Sequence, residues 1–105
     1  MRLSTQKLNT IRTYFQDKPV LRAYLFGSYA RGEADRRSDV DILVELDYSQ
    51  KIGMSFFVWH MELADLLKKK VDVVSTNGLS PYMKPYIEAD KVIIYERTVG
   101  RQGEA

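Results

Sequence analysis

FGSYARGEADRRSDVDILV, residues 26–44, joins two apolar runs through a polar stretch, and its punctuation decides the fold. Upstream, Leu21 to Phe26 (LRAYLF) is a short aromatic and aliphatic run that stops at Gly27, the pattern of a strand followed by a sharp turn. Ser28 to Ser38 is polar and carries Gly32, so it is a connector with one helical turn at its start. Asp39 to Leu46 (DVDILVEL) is the second strand, polar at its first end and apolar through Ile42, Leu43 and Val44. The strand period of two points the carboxylates of Asp39 and Asp41 to one side and Val40 to the other.

Outward from this stretch the periodicity changes to helical. Leu8, Ile11 and Phe15 fall on one face of a first helix from Ser4 to about Asp17, which Lys18-Pro19 ends. Ser49 to Lys70 reads as one long helix with Ile52, Phe56, Trp59, Leu63, Leu66 and Leu67 as its core stripe. A second apolar set, Met54, Phe57, Val58 and Met61, lies on the opposite side and needs cover from another element or another protein. Lys70 to Ser75 is a third strand, and Thr76-Asn77-Gly78 turns the chain. Ser80-Pro81 reads as N-cap and first residue of a helix running to Glu88 and kinked at Pro85. Val92 to Tyr95 is the fourth strand. Residues 1–96 form a single domain on this reading, and 97–105 a flexible tail. The class is α/β (α+β): about four strands in one sheet, with helices mainly on one face and the other face left available.

At 105 residues the chain has room for one domain and none for a second substrate-binding module. Hydrophobic and charged fractions of 45% and 29% are those of an ordinary globular domain. The absence of cysteine excludes disulfides, thiolate metal sites and catalysis by sulfur, and a single histidine removes most transition-metal designs. Sixteen Lys/Arg against fourteen Asp/Glu, +2 formally, is too even for a duplex-binding surface. With neither an apolar leader nor a membrane-spanning run, the expectation is a cytoplasmic protein without membrane contact.

Chemistry concentrates on the acids. Two carboxylates as close as Asp39 and Asp41 repel each other unless a cation or protons compensate, and oxygen-only ligation suits Mg2+ or Mn2+. Asp72 stands among Val71, Val73 and Val74, where an acid needs a cation or arginine partner or a place on a strand edge. Together the three could hold the metal pair of a phosphoryl-type displacement. An isolated DxD is common in surface turns; the balance shifts because Gly27-Ser28 follows the first strand. Gly27 lets backbone approach a ligand, and the Ser28 hydroxyl can donate to phosphate. Arg31, Arg36 and Arg37 can offset triphosphate charge, or can be solvated loop residues. His60 fits packing or partner contact better than catalysis. Tyr24, Tyr29, Tyr82 and Tyr86 are suited equally to stacking on an adenine and to a small core.

Gly27-Ser28, ten residues, then Asp39-Val40-Asp41 resembles the GS-x10-DxD signature of the polymerase-β-like nucleotidyltransferase superfamily, and the wider run resembles its minimal (MNT) members over about residues 20–96. The resemblance implies that superfamily's fold with a mixed sheet. It makes Gly27 and Ser28, with Arg31 nearby, the turn that binds nucleotide phosphate. It makes Asp39 and Asp41 metal ligands and Asp72 the third carboxylate, around two Mg2+ ions (Mn2+ as substitute) and ATP. It further implies a HEPN-class toxin as partner, with AMP moved from ATP to a toxin hydroxyl, that of a tyrosine, by an antitoxin. Neutralisation by binding alone, transfer to a small molecule and homo-oligomer formation stay open at this level.

Overall fold

The computed structural model describes residues 2–97, without the side chains of residues 54 and 55. In chain order the elements are α1 (Thr5–Phe15), β1 (Val20–Phe26), α2 (Ser28–Arg31), β2 (Val40–Leu46), a 3-10 turn (Gly53–Val58), α3 (Trp59–Leu67), β3 (Val71–Ser75), a short 3-10 turn (Thr76–Gly78), α4 (Lys84–Asp90) and β4 (Val92–Glu96). The sheet order is β3-β2-β1-β4, with β1 antiparallel to both β2 and β4 and β2 parallel to β3. The mixed four-strand sheet agrees with the sequence expectation. No described helix is long and apolar enough to cross a membrane.

Strand alternation separates the two faces. Val40, Ile42 and Val44 of β2 and Ala23 and Leu25 of β1 are buried on one face, against Ile11 and Phe15 of α1 and Trp59, Leu63 and Leu67 of α3. Phe15 meets Trp59 edge-on, ring centroids 6.0 Å apart. Each fully buried side chain of this size contributes about 1.5–3 kcal/mol, so these two helices hold the sheet flat against one side. Ser4 caps α1 by accepting the Lys7 backbone N–H at 3.1 Å. Arg12 of α1 donates from Nε to the Ile94 carbonyl at 2.7 Å, tying that helix to β4. The opposite face of β2 presents Asp41, Leu43 and Glu45, and the end of α4 borders it, with the Lys91 ammonium 4.5 Å above the Tyr24 ring.

Three sequence expectations are corrected. The long helix over 49–70 is broken: Asp47 accepts the Ser49 backbone N–H at 3.1 Å in a local turn, and Gly53 has φ +59°. Regular α-helix starts only at Trp59 and ends at Lys68 in the left-handed region. A single wheel across that break misassigns Leu66, which is 54% exposed rather than core, while Ile52 and Phe56 still pack on the buried cluster. In the second apolar set Phe57, Val58 and Met61 are 61%, 42% and 60% exposed, so no described element covers them, and the Met54 side chain lies outside the described residues. Second, the last helix begins at Lys84, and Pro85 lies in its first turn, where a missing N–H costs nothing and no kink results. Ser80 caps the preceding turn, its Oγ accepting the Met83 N–H at 3.3 Å. Third, Arg97, the first residue of the expected tail, is anchored. Its guanidinium meets Asp47 at 2.8 Å and the Lys18 carbonyl at 3.0 Å. The rest of that tail, 98–105, lies outside the described residues.

Candidate active site

Strand register assembles the acids. In the parallel β2/β3 ladder Asp41 pairs with Asp72 and Val40 with Val71, and in the antiparallel β1/β2 ladder Phe26 pairs with Asp41. Paired residues share a face, and neighbouring strands lie about 4.8 Å apart, so Asp72, Asp41 and Phe26 form one row across three strands. Asp39, immediately before β2, precedes Asp41 by one strand period and joins the same side. Their backs, Val40 and Val71, are 0% and 2% exposed in the core. Core burial on one face thus fixes the carboxylates on the other.

The turn after β1 completes the corner. Gly27 has φ +76° and ψ −155°, a region open essentially to glycine alone. A Cβ built there would collide with the Asp41 Oδ2 and stand 3.3 Å from its Cγ. The turn thereby lies directly against the carboxylate. Backbone bonds from Ala30 and Arg31 to the Gly27 carbonyl, 3.0 and 3.1 Å, wind α2, which Gly32 closes in the left-handed conformation. Ser28 is therefore the first residue of a helical turn that starts beside Asp41.

Burial, then the charges of Asp72 and Asp39, push the Asp41 carboxyl up to about 6, and the Arg31 charge opposes them. Asp39 has the Lys70 ammonium at 3.9 Å. Arg31 is held on two sides, Nε to Glu33 at 2.8 Å and Nη1 to Asp90 at 2.7 Å. An all-carboxylate set whose members repel one another matches a hard divalent cation in donor chemistry. As they stand, no three acids or histidines among the described residues converge tightly enough to hold an ion. Asp72 is exposed and Asp39 partly so, which leaves both side chains room to turn inward.

Other candidates are dispersed. Arg36 and Arg37 are exposed on the connector. His60 is exposed on α3, across the sheet from the acids. Tyr29 is buried in the core; Tyr24 donates its hydroxyl to Glu45 Oε2 at 2.7 Å; Tyr82 and Tyr86 are exposed near α4. Sequence reasoning passed over Asp90, Lys70 and Phe26. Phe26 was recoverable from its place before Gly27, whereas the Arg31–Asp90 pair, 59 residues apart, left no local signal.

Residues 9–99 match the polymerase beta nucleotidyltransferase family. The chain belongs to this family. A Methanocaldococcus jannaschii protein described as a protein adenylyltransferase, MJ0128, is 44% identical over 71 residues, 67% of this chain and 71% of that one. A solved structure described as a minimal nucleotidyltransferase superposes with TM-score 0.69 at 28% identity, covering 83% of this chain and 88% of that one. A chain from the complex of a tri-AMPylated Shewanella oneidensis HEPN toxin with its MNT antitoxin shares the fold, with TM-score 0.68 and 19% identity over 95% of this chain and 78% of that one. The enzyme is a nucleotidyltransferase.

Proposed function

We propose that this nucleotidyltransferase is a divalent-cation-dependent protein adenylyltransferase that moves AMP from ATP to a hydroxyl, that of a tyrosine, on a HEPN-class toxin, for which it acts as antitoxin. The observation that carries the reading is the row of Asp41 and Asp72, with Asp39 on the same side, set against the Gly27–Ser28 turn. Relatives described as protein adenylyltransferases and the fold shared with an MNT antitoxin chain support it. Asp39, Asp41 and Asp72 would hold the cation, Mg2+ or Mn2+, one ion or two. A bound divalent cation supplies charge neutralisation at the phosphates. Gly27 lets the triphosphate approach the backbone, Ser28 offers its hydroxyl, and Arg31 offsets phosphate charge. The acceptor oxygen attacks the α-phosphorus, the bond to the bridging oxygen of pyrophosphate breaks, and the acceptor proton passes to the Asp72 carboxylate.

Co-expression with the toxin and intact-mass measurement, with and without ATP and Mg2+, tests this reading. An AMP adduct that requires both and disappears in Asp41→Asn is expected. A second reading, neutralisation by binding alone, is favoured by the open placement of the acids, with Asp39 beside Lys70. Full neutralisation by Asp41→Asn without any adduct would select it.

A further inference from the structure

The short helix that carries the phosphate turn is a poor anchor by itself. α2 has four residues, begins at Gly27 with no side-chain cap and ends at Gly32, both glycines at φ +76°. One turn fixes its own backbone bonds only marginally. Its position relative to the sheet must come from side chains: Tyr29 sinks into the core, and Arg31 reaches two acids.

Those acids are not equivalent. Glu33 is two residues from Arg31, on the same connector, and its side chain is 64% exposed, so it moves with α2 and cannot locate it. Asp90 is 19% exposed and closes α4 just before β4, which pairs with β1 through Leu25↔Val92. Its backbone is therefore tied to the strand that delivers Gly27. The neighbouring Lys91 is occupied with Glu88 and the Tyr24 ring and leaves Asp90 to Arg31.

We propose that Asp90 is a positioning residue for nucleotidyl transfer: by gripping the Arg31 guanidinium from the end of α4, it holds α2, and with it the Gly27–Ser28 turn, in register with Asp41. Asp90 takes Nη1 of Arg31 and Glu33 takes Nε, which leaves Nη2 for a phosphate oxygen. Misplacing a bound triphosphate by about 1 Å can cost on the order of 100-fold in rate, whereas affinity spread over several contacts changes little. This assignment rests on the transferase reading above.

The experiment compares Asp90→Asn and Asp90→Glu with Glu33→Gln, which also deprives Arg31 of an acid. In the nucleotide-free protein, hydrogen exchange at residues 28–31 should accelerate about tenfold or more in Asp90→Asn and return toward wild type in Asp90→Glu. Glu33→Gln should leave it unchanged. In adenylylation of the co-purified toxin, Asp90→Asn should lower kcat about tenfold or more with the KM for ATP within about threefold, and circular dichroism should match wild type. Unchanged exchange in Asp90→Asn, equal effects of Asp90→Asn and Glu33→Gln, or faster exchange with normal kcat would each overturn the assignment. A wild-type protein that transfers nothing, while Asp90→Asn loosens α2, would count against the transferase reading and leave the grip supported.

Discussion

Replacing Gly27 by alanine tests the contact between the turn and the acids directly. Two costs add. A non-glycine residue at φ +76° and ψ −155° costs about 1–3 kcal/mol in backbone strain. The new Cβ also meets the Asp41 Oδ2, so the half-buried carboxylate must swing out of its place or the turn must lift, for about 1 kcal/mol more. The sum, about 2–4 kcal/mol, is a large share of what a domain of this size has, about 5–15 kcal/mol. At about 4–8 °C per kcal/mol, the melting temperature should fall by roughly 8–32 °C. Gly32→Ala is the internal control, because Gly32 shares φ +76° but has nothing within 4 Å of a built Cβ. It should cost about 1 kcal/mol and leave nucleotide affinity intact. Thermal and urea unfolding of both variants, with Mn2+ and a nonhydrolysable ATP analogue added in parallel, give the comparison. A Gly27→Ala protein within about 0.5 kcal/mol of wild type, or a Gly32→Ala protein equally impaired, would falsify the close approach of turn and carboxylate.

Asp41 gives a prediction in pH. Its folded carboxyl, at about 6, holds its proton more tightly than the unfolded chain, whose value is near 3.8. Stability should therefore fall as pH rises from about 4 to 6 and stay low above that. The rise is worth at most about 3 kcal/mol, and solvent screening at a half-buried group reduces it to about 1 kcal/mol. Asp41→Asn should be more stable by that amount at pH 7, equal to wild type below pH 4, and inactive; urea titrations at the two pH values decide. Asp72→Asn should lower single-turnover transfer far more than ATP affinity, because the demand for a base grows as the acceptor proton leaves; equal losses would make Asp72 a binding residue only. Phe57→Asp with Met61→Lys should leave the fold intact, since both side chains are about 60% exposed, and should weaken any complex centred on that face about tenfold or more. Circular dichroism and sedimentation report the two effects, and a folded variant with full partner affinity would remove the face as an interface.

Local chemistry made most of this architecture legible. Strand β1 lies between Pro19 and Gly27, and β2, β3 and β4 are apolar runs bounded by polar residues, because a short buried strand writes its own pattern of residues. Gly27, Ser28, Asp39 and Asp41 lie within fifteen residues of one another, and a turn and a strand period suffice to bring them together. Asp72 was recognisable as an acid out of place among valines, although only the parallel register shows it opposite Asp41. The stretch 49–58 misled because apolar periodicity continues across a break that Asp47 and Gly53 make by hydrogen bonding and positive φ, neither of which alters the hydrophobic pattern. Asp90 was hidden for a different reason: its partner comes from another part of the chain, and an isolated acid at a helix end resembles any solvated one.

The pairing of Asp72 with Asp41 has a consequence for folding fidelity. β3 is an outer strand, joined to the sheet through β2 alone, and its run of valines would be nearly as content shifted by one residue. Such a slip inverts every side chain of the strand, turning a carboxylate onto the packed face of Trp59 and Leu63 and bringing Val71 out to water. Burying an unpaired acid there costs several kcal/mol, far beyond what a misaligned ladder could recover. The acid that the proposed chemistry draws from the outer strand is also the mark by which that strand finds its alignment.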